Sequence, residues 1–389
     1  MKKRAVFFNS PYLGGAERSM VQQLHLLNIK EKVYLYIPYF VDLSEAEHLI
    51  DLCSKSLSNV EIVFYQYPQR LFQISRSGSS LFKLLLAAFS LMKLVFILRK
   101  LKIHTNYLLW ANGNKVALPI LLNLFIFGRD NKLIWHFRDY PTKSIFMRFS
   151  SFLFKNSKRF ETFCVGNSLD VSRAIDQILD IDVSNFAYNP VGEMARKEYY
   201  PKKKVVIGTA SMFAPWKGIH QVIIMANIYQ NELKDLGVEK IKIFGDMIYK
   251  TDGDHNSYLK SLEALASNNN LIEFVGNAKP KEIYQNIDVL IHSSLEPEPF
   301  GRVILEGLKT GTCILTSGLG GSGELVEHNK SALIFQAYEY ADLYHQIYRY
   351  STDLELRKRL YDFSFHRANS LETLAYKQLH NFFQLVENR

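Results

Sequence analysis

Short runs rich in β-branched and aromatic residues alternate with longer segments of helical periodicity along almost the whole chain. Alternation of this kind indicates parallel sheets, because two parallel strands are joined by a crossover that is usually a helix. A first series of predicted strands covers residues 4–10, 32–38, 61–67, 106–112, 132–137 and 159–166. A second series covers residues 204–210, 240–246, 271–276, 288–293, 312–317 and 332–335. The pattern predicts an α/β chain with two doubly wound sheets.

A polar, aperiodic segment separates the two series, and 389 residues are more than one hydrophobic core usually supports. We therefore predict a Rossmann-like domain over 1–190, a linker over 191–203 and a second Rossmann-like domain over 204–370. A C-terminal helix over 371–389 could pack back on the first domain. The simplest arrangement places the two domains face to face across a cleft, with ligands beyond the carboxyl ends of the strands.

Composition narrows the class of partner. The chain has 47 Lys and Arg against 38 Asp and Glu, which gives a net charge of +9. This excess suits nucleic acid, an anionic membrane surface or a phosphate-bearing ligand. The three cysteines, Cys53, Cys164 and Cys313, are widely spaced and form no CxxC pair. That usage predicts neither a disulfide framework nor a zinc site, and it favours a reducing cytoplasm.

The most apolar stretch of the chain covers residues 80–102. Lys83 and Lys93 interrupt it, so no apolar run approaches the roughly 20 residues that a membrane-spanning helix needs. We predict a helix that is partly buried and partly on the surface.

Two glutamates flank a turn in the stretch LEPEPFGRVILEGLKTG. Glu298 lies between two prolines after a predicted strand, so its backbone is restricted and its carboxylate has a defined direction. Gly301 then begins a helix whose first N–H groups can bind an anion or a hydroxyl. Glu306 lies roughly 7–8 Å further along that helix. Two carboxylates so separated would bind two parts of one elongated ligand.

Three further strand ends carry polar groups. Lys217-Gly218 opens a helix after the first strand of the second series, which places a cation beside a positive helix end and suits a diphosphate. Gly14-Gly15 follows the first strand, where backbone N–H groups can approach a phosphate or an acceptor, although the pair also fits an ordinary strand–helix turn. His136 ends another strand, followed by Arg138 and Asp139, which could form a local ion pair.

The two glutamates with seven residues and a PFG turn between them, preceded in order by the double glycine, the histidine and the Lys-Gly pair, resemble a known signature. It is that of retaining GT-B glycosyltransferases of the family-four, glycosyl transferases group 1 type. The resemblance covers nearly the whole chain and is strongest between residues 204 and 335. The family usually has an arginine where this chain has Met212, and Arg302 is a candidate replacement.

The resemblance implies roles for individual residues. It puts Glu298 at the sugar of a nucleotide diphosphate sugar, Glu306 on the ribose hydroxyls, and Val303 with Ile304 in the nucleoside pocket. The implied catalytic residues are His136, Lys217 and Glu298. The implied donor-binding residues are Gly14, Gly15, Lys217, Gly218, Phe300, Gly301, Arg302, Val303, Ile304 and Glu306.

Less specific segments fit the same signature. Residues 244–247 and 274–277 end strands where the family holds the nucleobase, and Gly320-Gly321 lies in a loop similar to the family's glycine-rich loop. No Asp-x-Asp pair occurs at a predicted strand end, so we predict no metal and no cofactor.

Two basic and aromatic segments of the first half could meet an anionic membrane. Lys93 and Lys100 share one helix face beside a long apolar face, and the segment 146–160 interleaves phenylalanines with basic residues. Both helices could instead simply cover the sheet. The membrane interpretation predicts a cytoplasmic protein, peripheral on the inner face of the membrane, whose acceptor is a glycan or is lipid-linked.

Taken together, the residues and the resemblance predict a retaining, metal-independent hexosyltransferase in cell-surface polysaccharide synthesis, with a nucleotide diphosphate sugar as donor. A sugar-nucleotide epimerase or a phosphorylase of the same fold is an alternative that does not require the glutamate pair. A basic nucleic-acid- or membrane-binding protein is an alternative of another class. Nucleic acid is not the expected partner, because the basic residues cluster with Phe and Leu on helices.

Overall fold

The computed structural model describes residues 3–72, 81–103, 105–181, 183, 185–246 and 254–389. The chain divides into two compact units. The first unit comprises Met1–Val191 and Leu374–Arg389, and the second comprises Gly192–Thr373.

The first unit is built on a parallel sheet of six strands in the order β3-β2-β1-β4-β5-β6, the order of a doubly wound fold. Its strands are β1 (Lys3–Phe8), β2 (Val33–Tyr39), β3 (Val60–Gln66), β4 (Tyr107–Asn112), β5 (Asn131–Phe137) and β6 (Phe160–Gly166). Its helices are α1 (Gly15–Leu27), α2 (Glu47–Ser56), α3 (Gln69–Phe72), α4 (Leu81–Lys100), α5 (Asn114–Phe127), α6 (Ile145–Lys155) and α7 (Leu169–Leu179).

Both faces of this sheet are covered, because successive side chains of a strand point to opposite faces. Ala5 and Phe7 of β1 pack into a core with α4, α5 and α6. Val6 and Phe8 pack into a second core on the other face, with α1 and α2. This double burial explains why the strands read as continuous apolar runs and not as alternating ones.

The second unit repeats the plan with a parallel sheet in the order β12-β11-β10-β7-β8-β9. Its strands are β7 (Val205–Ala210), β8 (Val238–Phe244), β9 (Ile272–Gly276), β10 (Val289–His292), β11 (Cys313–Thr316) and β12 (Leu333–Ile334). Its helices are α8 (Ile219–Ile228), α9 (Gln230–Asp235), α10 (Asp254–Ala266), α11 (Pro280–Gln285), α12 (Arg302–Thr310), α13 (Tyr340–Thr352) and the first part of α14 (Leu354–Asn388).

All twelve predicted strands are present, with ends that shift by a few residues, and the prediction of two doubly wound α/β sheets is confirmed. The segment 191–203, predicted as a linker, forms no regular element; Val191 belongs to the first unit and residues 192–203 to the second. The three cysteines are buried and free.

The apolar stretch 80–102 contains α4, and residue 80 lies outside the described residues. Its inner side chains, such as Leu94 and Leu98, are buried in the first unit's core. Across the part of the chain that the structure describes, neither α4 nor any other helix is long and apolar enough to cross a membrane.

The end of α14 belongs to the first unit and closes the core beside α1 and α2. Phe382 and Val386 are buried there, and Phe383 stacks on Trp110. The ammonium of Lys132 donates to the carbonyl of Val386 at 2.7 Å. Carbonyls in the last turn of a helix have no partner within the helix, so this lysine satisfies one of them and fixes the helix end.

We expect Phe382→Ala to destabilise the first unit by about 3–5 kcal/mol, because a buried ring is lost and a cavity replaces it. Tyr376→Ala on the same helix is the matched control: Tyr376 is 45% exposed, so its loss should change stability by only about 0.5 kcal/mol. The measurement is the urea midpoint of each variant by circular dichroism. Equal midpoints for the two variants would show that the helix end is not part of the core.

Candidate functional site

Glu298 lies in the loop between β10 and α12, at the carboxyl end of the second sheet. The ammonium of Lys217 lies 2.6 Å from one carboxylate oxygen of Glu298 and 2.7 Å from the other. Both side chains are largely buried, at 11% and 12% exposure. The structure therefore brings together two predicted site residues that are 81 positions apart.

The loop that carries Lys217 is held against the Glu298 loop by backbone contacts. The Leu295 N–H donates to the Trp216 carbonyl at 2.8 Å, and the Ser293 hydroxyl donates to the Lys217 carbonyl at 3.0 Å. Gly218 has a φ of +67°, and a Cβ there would lie 2.0 Å from the Ser293 carbonyl oxygen. Only glycine permits this close approach.

Two residues that the sequence analysis did not assign also contact Glu298. His292 Nε2 lies 3.0 Å from a Glu298 oxygen, and the Ser294 hydroxyl donates to the same oxygen at 2.7 Å. His292 Nδ1 lies 3.0 Å from the Thr316 hydroxyl oxygen, which also accepts from the Gly318 N–H. Because an ionised carboxylate can only accept, the contact with Glu298 requires a proton on Nε2 of His292, and Nδ1 can then accept from the Thr316 hydroxyl.

These contacts set the charge of Glu298. Burial alone would raise the pKa of this carboxyl, but the ammonium of Lys217 and the ring of His292 outweigh burial and hold the pKa well below its usual range. Glu298 is therefore a carboxylate at any pH near neutrality, and a proton donor role for it is excluded there.

Glu306 lies within α12, the helix that follows the Glu298 loop, and it is only 5% exposed. Arg302 Nε lies 2.8 Å from one of its carboxylate oxygens, and the Tyr284 hydroxyl lies 3.1 Å from the other. Each oxygen of a carboxylate can accept two hydrogen bonds, so both can still accept from a ligand. Arg302, the candidate replacement for the arginine missing at Met212, thus pairs with Glu306 in this structure.

The other predicted residues of this segment lie at the start of α12. Gly301 is the N-cap of α12 with a φ of +84°, and Phe300 before it is buried. Val303 is half-buried, whereas Ile304 is fully buried. The loop with Gly320 pairs with Glu298 in an isolated parallel bridge. Met247, at the end of the predicted nucleobase segment, lies outside the described residues.

In the first unit, Gly14 is the N-cap of α1. A Cβ on Gly14 would lie 2.9 Å from a carboxylate oxygen of Glu17, whereas a Cβ on Gly15 would meet no described atom within 4 Å. Glu17 is 4% exposed, and burial raises its pKa to about 7, although its own N–H, Arg138 and the Gly14 N–H oppose that rise. The double-glycine turn therefore has a buried carboxyl that titrates near neutral pH.

His136 ends β5 and is fully buried, stacked on the indole of Trp110. Trp110 Nε1 donates to His136 Nδ1 at 3.3 Å, and Nε2 has no hydrogen-bond partner among the described residues. Burial and then the charge of Arg138 hold the pKa of His136 well below its usual range. The ring is therefore neutral with its proton on Nε2, where it can donate to a ligand.

Arg138 was predicted to pair with Asp139 as one option. The structure surrounds its buried guanidinium with three amide oxygens, at 2.6 Å from Asn112, 2.5 Å from Asn189 and 2.7 Å from Gln23. Asp139 is exposed. Arg138 thus ties the ends of β4 and β5 to α1 and to the segment that follows α7.

The site residues that the sequence analysis missed differ in whether the sequence contains a signal for them. His292 is a polar residue in an apolar strand directly before the Glu298 loop, which is a signal that could have found it. Tyr284 gives no such signal, because it lies on another helix and reaches Glu306 only in the folded chain.

One family of known proteins matches the sequence of the second unit. Residues 192–366 match the family described as "Glycosyl transferases group 1". The putative glycosyltransferase YtcC of Bacillus subtilis is 26% identical over 233 residues, which cover 56% of this chain and 55% of YtcC. The chain spans about half the length, or less, of the curated relatives that it matches.

Solved structures match over the whole length. HepE of Anabaena, crystallised with UDP and glucose, superposes with a TM-score of 0.74 at 20% identity, covering 99% of this chain and 100% of HepE. A point mutant of TarM of S. aureus, crystallised with fondaparinux, α-GlcNAc-glycerol and UDP, has a TM-score of 0.72 at 14% identity and covers 100% of both chains. At these identities the likeness concerns the fold.

We expect Glu298→Gln to lower the free energy of unfolding by about 3–5 kcal/mol near pH 7, because Lys217 is left buried without its counter-charge. A carboxyl whose pKa is lower in the folded state stabilises above its unfolded pKa and loses this effect as the pH falls through the folded value. The difference from wild type should therefore shrink below about pH 4.3. Denaturation midpoints across this pH range provide the measurement.

Glu296→Gln is the control for this variant, because Glu296 is exposed in the same loop. It should shift stability by no more than about 0.5 kcal/mol. A Glu298→Gln effect that is equally small, or that grows as the pH falls, would contradict the buried ion pair.

Proposed function

We propose that this chain, which has the GT-B fold and whose residues 192–366 match the family of glycosyl transferases group 1, transfers a sugar from a nucleotide diphosphate sugar to a hydroxyl. The proposed acceptor is a glycan or a lipid-linked sugar, and the anomeric configuration is retained. The proposed setting is cell-surface polysaccharide synthesis at the inner face of the cytoplasmic membrane.

The observation that carries this proposal is the arrangement of charge at the carboxyl end of the second sheet. A buried ammonium, Lys217, is held by Glu298 beside the N-terminus of α8, and a second buried carboxylate, Glu306, lies further along α12. A cation at a helix N-terminus suits a diphosphate, and a carboxylate with free lone pairs suits a pair of hydroxyls. A nucleotide diphosphate sugar has both groups.

In the proposed reaction the bond between the anomeric carbon and the diphosphate oxygen breaks, and a bond from the acceptor oxygen to that carbon forms. The electron pair of the broken bond stays on the diphosphate, which leaves with additional negative charge, and the proton of the acceptor hydroxyl passes to a diphosphate oxygen or to water. Lys217 and the backbone N–H groups at the starts of α8 and α12 are the groups that stabilise this charge. Glu298 keeps Lys217 in place, and Glu306 binds the ribose.

The residues of the first unit have proposed roles that follow from their protonation. His136 is neutral, so we assign it a hydrogen bond from Nε2 to the transferred sugar and not the role of an acid. The N–H groups at Gly14-Gly15 are assigned to the phosphate or the acceptor. The ligands in the HepE and TarM crystals, UDP with glucose and UDP with α-GlcNAc-glycerol, support a nucleotide sugar donor and a glycan acceptor.

The experiment that tests the proposal combines binding with product analysis. A thermal-shift screen against nucleotide diphosphates and their sugars should identify the donor, because a ligand that binds only the folded state raises its stability. Incubation with that donor and an acceptor should then give free nucleotide diphosphate and a sugar-extended, retained product. Release of the diphosphate without extension of any acceptor, or epimerised donor alone, would reject sugar transfer.

We expect Glu306→Ala to weaken donor binding by about 2–4 kcal/mol, since two charge-assisted hydrogen bonds to the ribose are lost. In a turnover assay this appears chiefly as a higher donor KM. An unchanged donor KM would show that the nucleoside is not bound at Glu306.

Glu298→Ala and His136→Ala provide the contrast for that variant. Both should chiefly lower kcat, because their proposed contacts are to the transferred sugar and to the lysine at the leaving group. Folding of each is checked by its denaturation midpoint. A Glu298→Ala variant with normal kcat would remove Glu298 from the proposed reaction.

We expect turnover to persist in EDTA, because Lys217 and the helix-end N–H groups are proposed to do the work that a divalent cation does in metal-dependent transferases. The measurement is the initial rate with and without EDTA, then with added Mg²⁺. Complete loss in EDTA that Mg²⁺ restores would contradict this prediction.

A further inference from the structure

The outward face of α4 is apolar, which is unusual for a helix at the surface of a domain. The exposed side chains recur at helical spacing, and they include Leu85 at 62%, Phe89 at 71%, Met92 at 40% and Phe96 at 55% exposure. The opposite side of α4 is buried in the core of the first unit. An apolar stripe of this length, exposed to water, normally meets another apolar surface.

The outward face of α6 has the same character. Ile145 is 70% exposed, Phe149 41% and Phe152 54%, and Arg148 lies among them. The neighbouring helix α5 packs against α4 and against α6, and all three cover the same face of the first sheet. The two apolar stripes therefore belong to one side of the first unit.

Charge is distributed very unevenly along the chain. Residues 62–160, which contain α4, α5 and α6, carry sixteen Lys and Arg and two Asp. The rest of the chain carries 31 Lys and Arg and 36 Asp and Glu, so the excess positive charge comes entirely from this segment. The sequences of α4 and α6 contain no Asp or Glu. Exposed cations lie beside the apolar stripe in the C-terminal half of α4, namely Lys93, Arg99 and Lys100.

We propose that the outward faces of α4 and α6 form a docking surface for an anionic lipid bilayer, which deepens and rests on the membrane location in the proposed function. Exposed phenylalanines and leucines enter the boundary between headgroups and acyl chains, and the cations beside them meet anionic headgroups. An anionic bilayer matches both the apolar stripes and the positive charge of this surface. A second copy of the chain would place like charges against each other, and a polyanion without lipid would leave the apolar stripe in water.

The docking surface gives a lipid-linked acceptor a physical context. A bilayer at α4 and α6 holds the first unit at the headgroup level, where the reactive hydroxyl of such an acceptor lies. Docking raises the local concentration of acceptor without any contact to the donor site, so it should affect acceptor use and leave donor binding unchanged.

The test uses the full chain and vesicle flotation, with neither donor nor acceptor present. Vesicles of phosphatidylcholine mixed with phosphatidylglycerol should carry the protein, and vesicles of pure phosphatidylcholine should carry much less. Phe89→Ser with Phe96→Ser should abolish flotation, and Lys93→Gln with Lys100→Gln should weaken it on the order of tenfold. All four side chains are exposed, so these variants should fold, as their denaturation midpoints will show.

Tyr348→Ser with Leu354→Ser is the matched control, since these exposed side chains lie on the second unit. It should float like the wild type. Failure of the wild type to bind anionic vesicles, or equal loss in the control, would overturn the proposal. A dimer of the wild type in sedimentation velocity that is lost in the Phe89→Ser, Phe96→Ser variant would also overturn it. RNA binding that this variant retains, in a protein that does not float, would overturn it as well. Donor binding is measured separately, so failure of docking and failure of sugar transfer give different results.

Discussion

The buried ion pair between Lys217 and Glu298 is the interaction on which the rest of the candidate site depends. It joins the loop after β7 to the loop after β10, and the close approach of these loops requires Gly218. Removing two charges from water is costly, and the site meets that cost with additional hydrogen bonds from His292 and Ser294. The result is a fixed positive group at the start of α8.

The pKa values of two largely buried glutamates, Glu298 and Glu17, are shifted in opposite directions. Glu298 has the ammonium of Lys217 within hydrogen-bond distance and stays ionised, whereas burial dominates at Glu17 and raises its pKa to about 7. His136 is buried as well, and it is neutral because burial and Arg138 both disfavour its charged form. The chemistry available at each strand end is therefore set by the neighbours that the fold supplies.

Much of the fold could be predicted because its signals are local. Each predicted strand exists, and strands such as β4, β5, β10 and β11 are mostly apolar because they are buried along their whole length. The predicted residues of the second unit lie together for a related reason, because the carboxyl ends of parallel strands meet at one edge of a sheet. His292 was within reach of the same reasoning, whereas Tyr284 was not, because its contact with Glu306 depends on how α11 packs beside α12.

The sequence by itself determined the two doubly wound sheets, the loops that carry Glu298 and Lys217, and the basic, apolar helices of the first half. Periodicity and strand-end position are properties of neighbouring residues, so they can be read without a fold. Only the tertiary structure decided that Lys217 pairs with Glu298, that Arg302 pairs with Glu306 and that one face of α4 stays exposed. Contacts, burial and pKa depend on residues distant in the chain, and these come together only when the sheet and its helices pack.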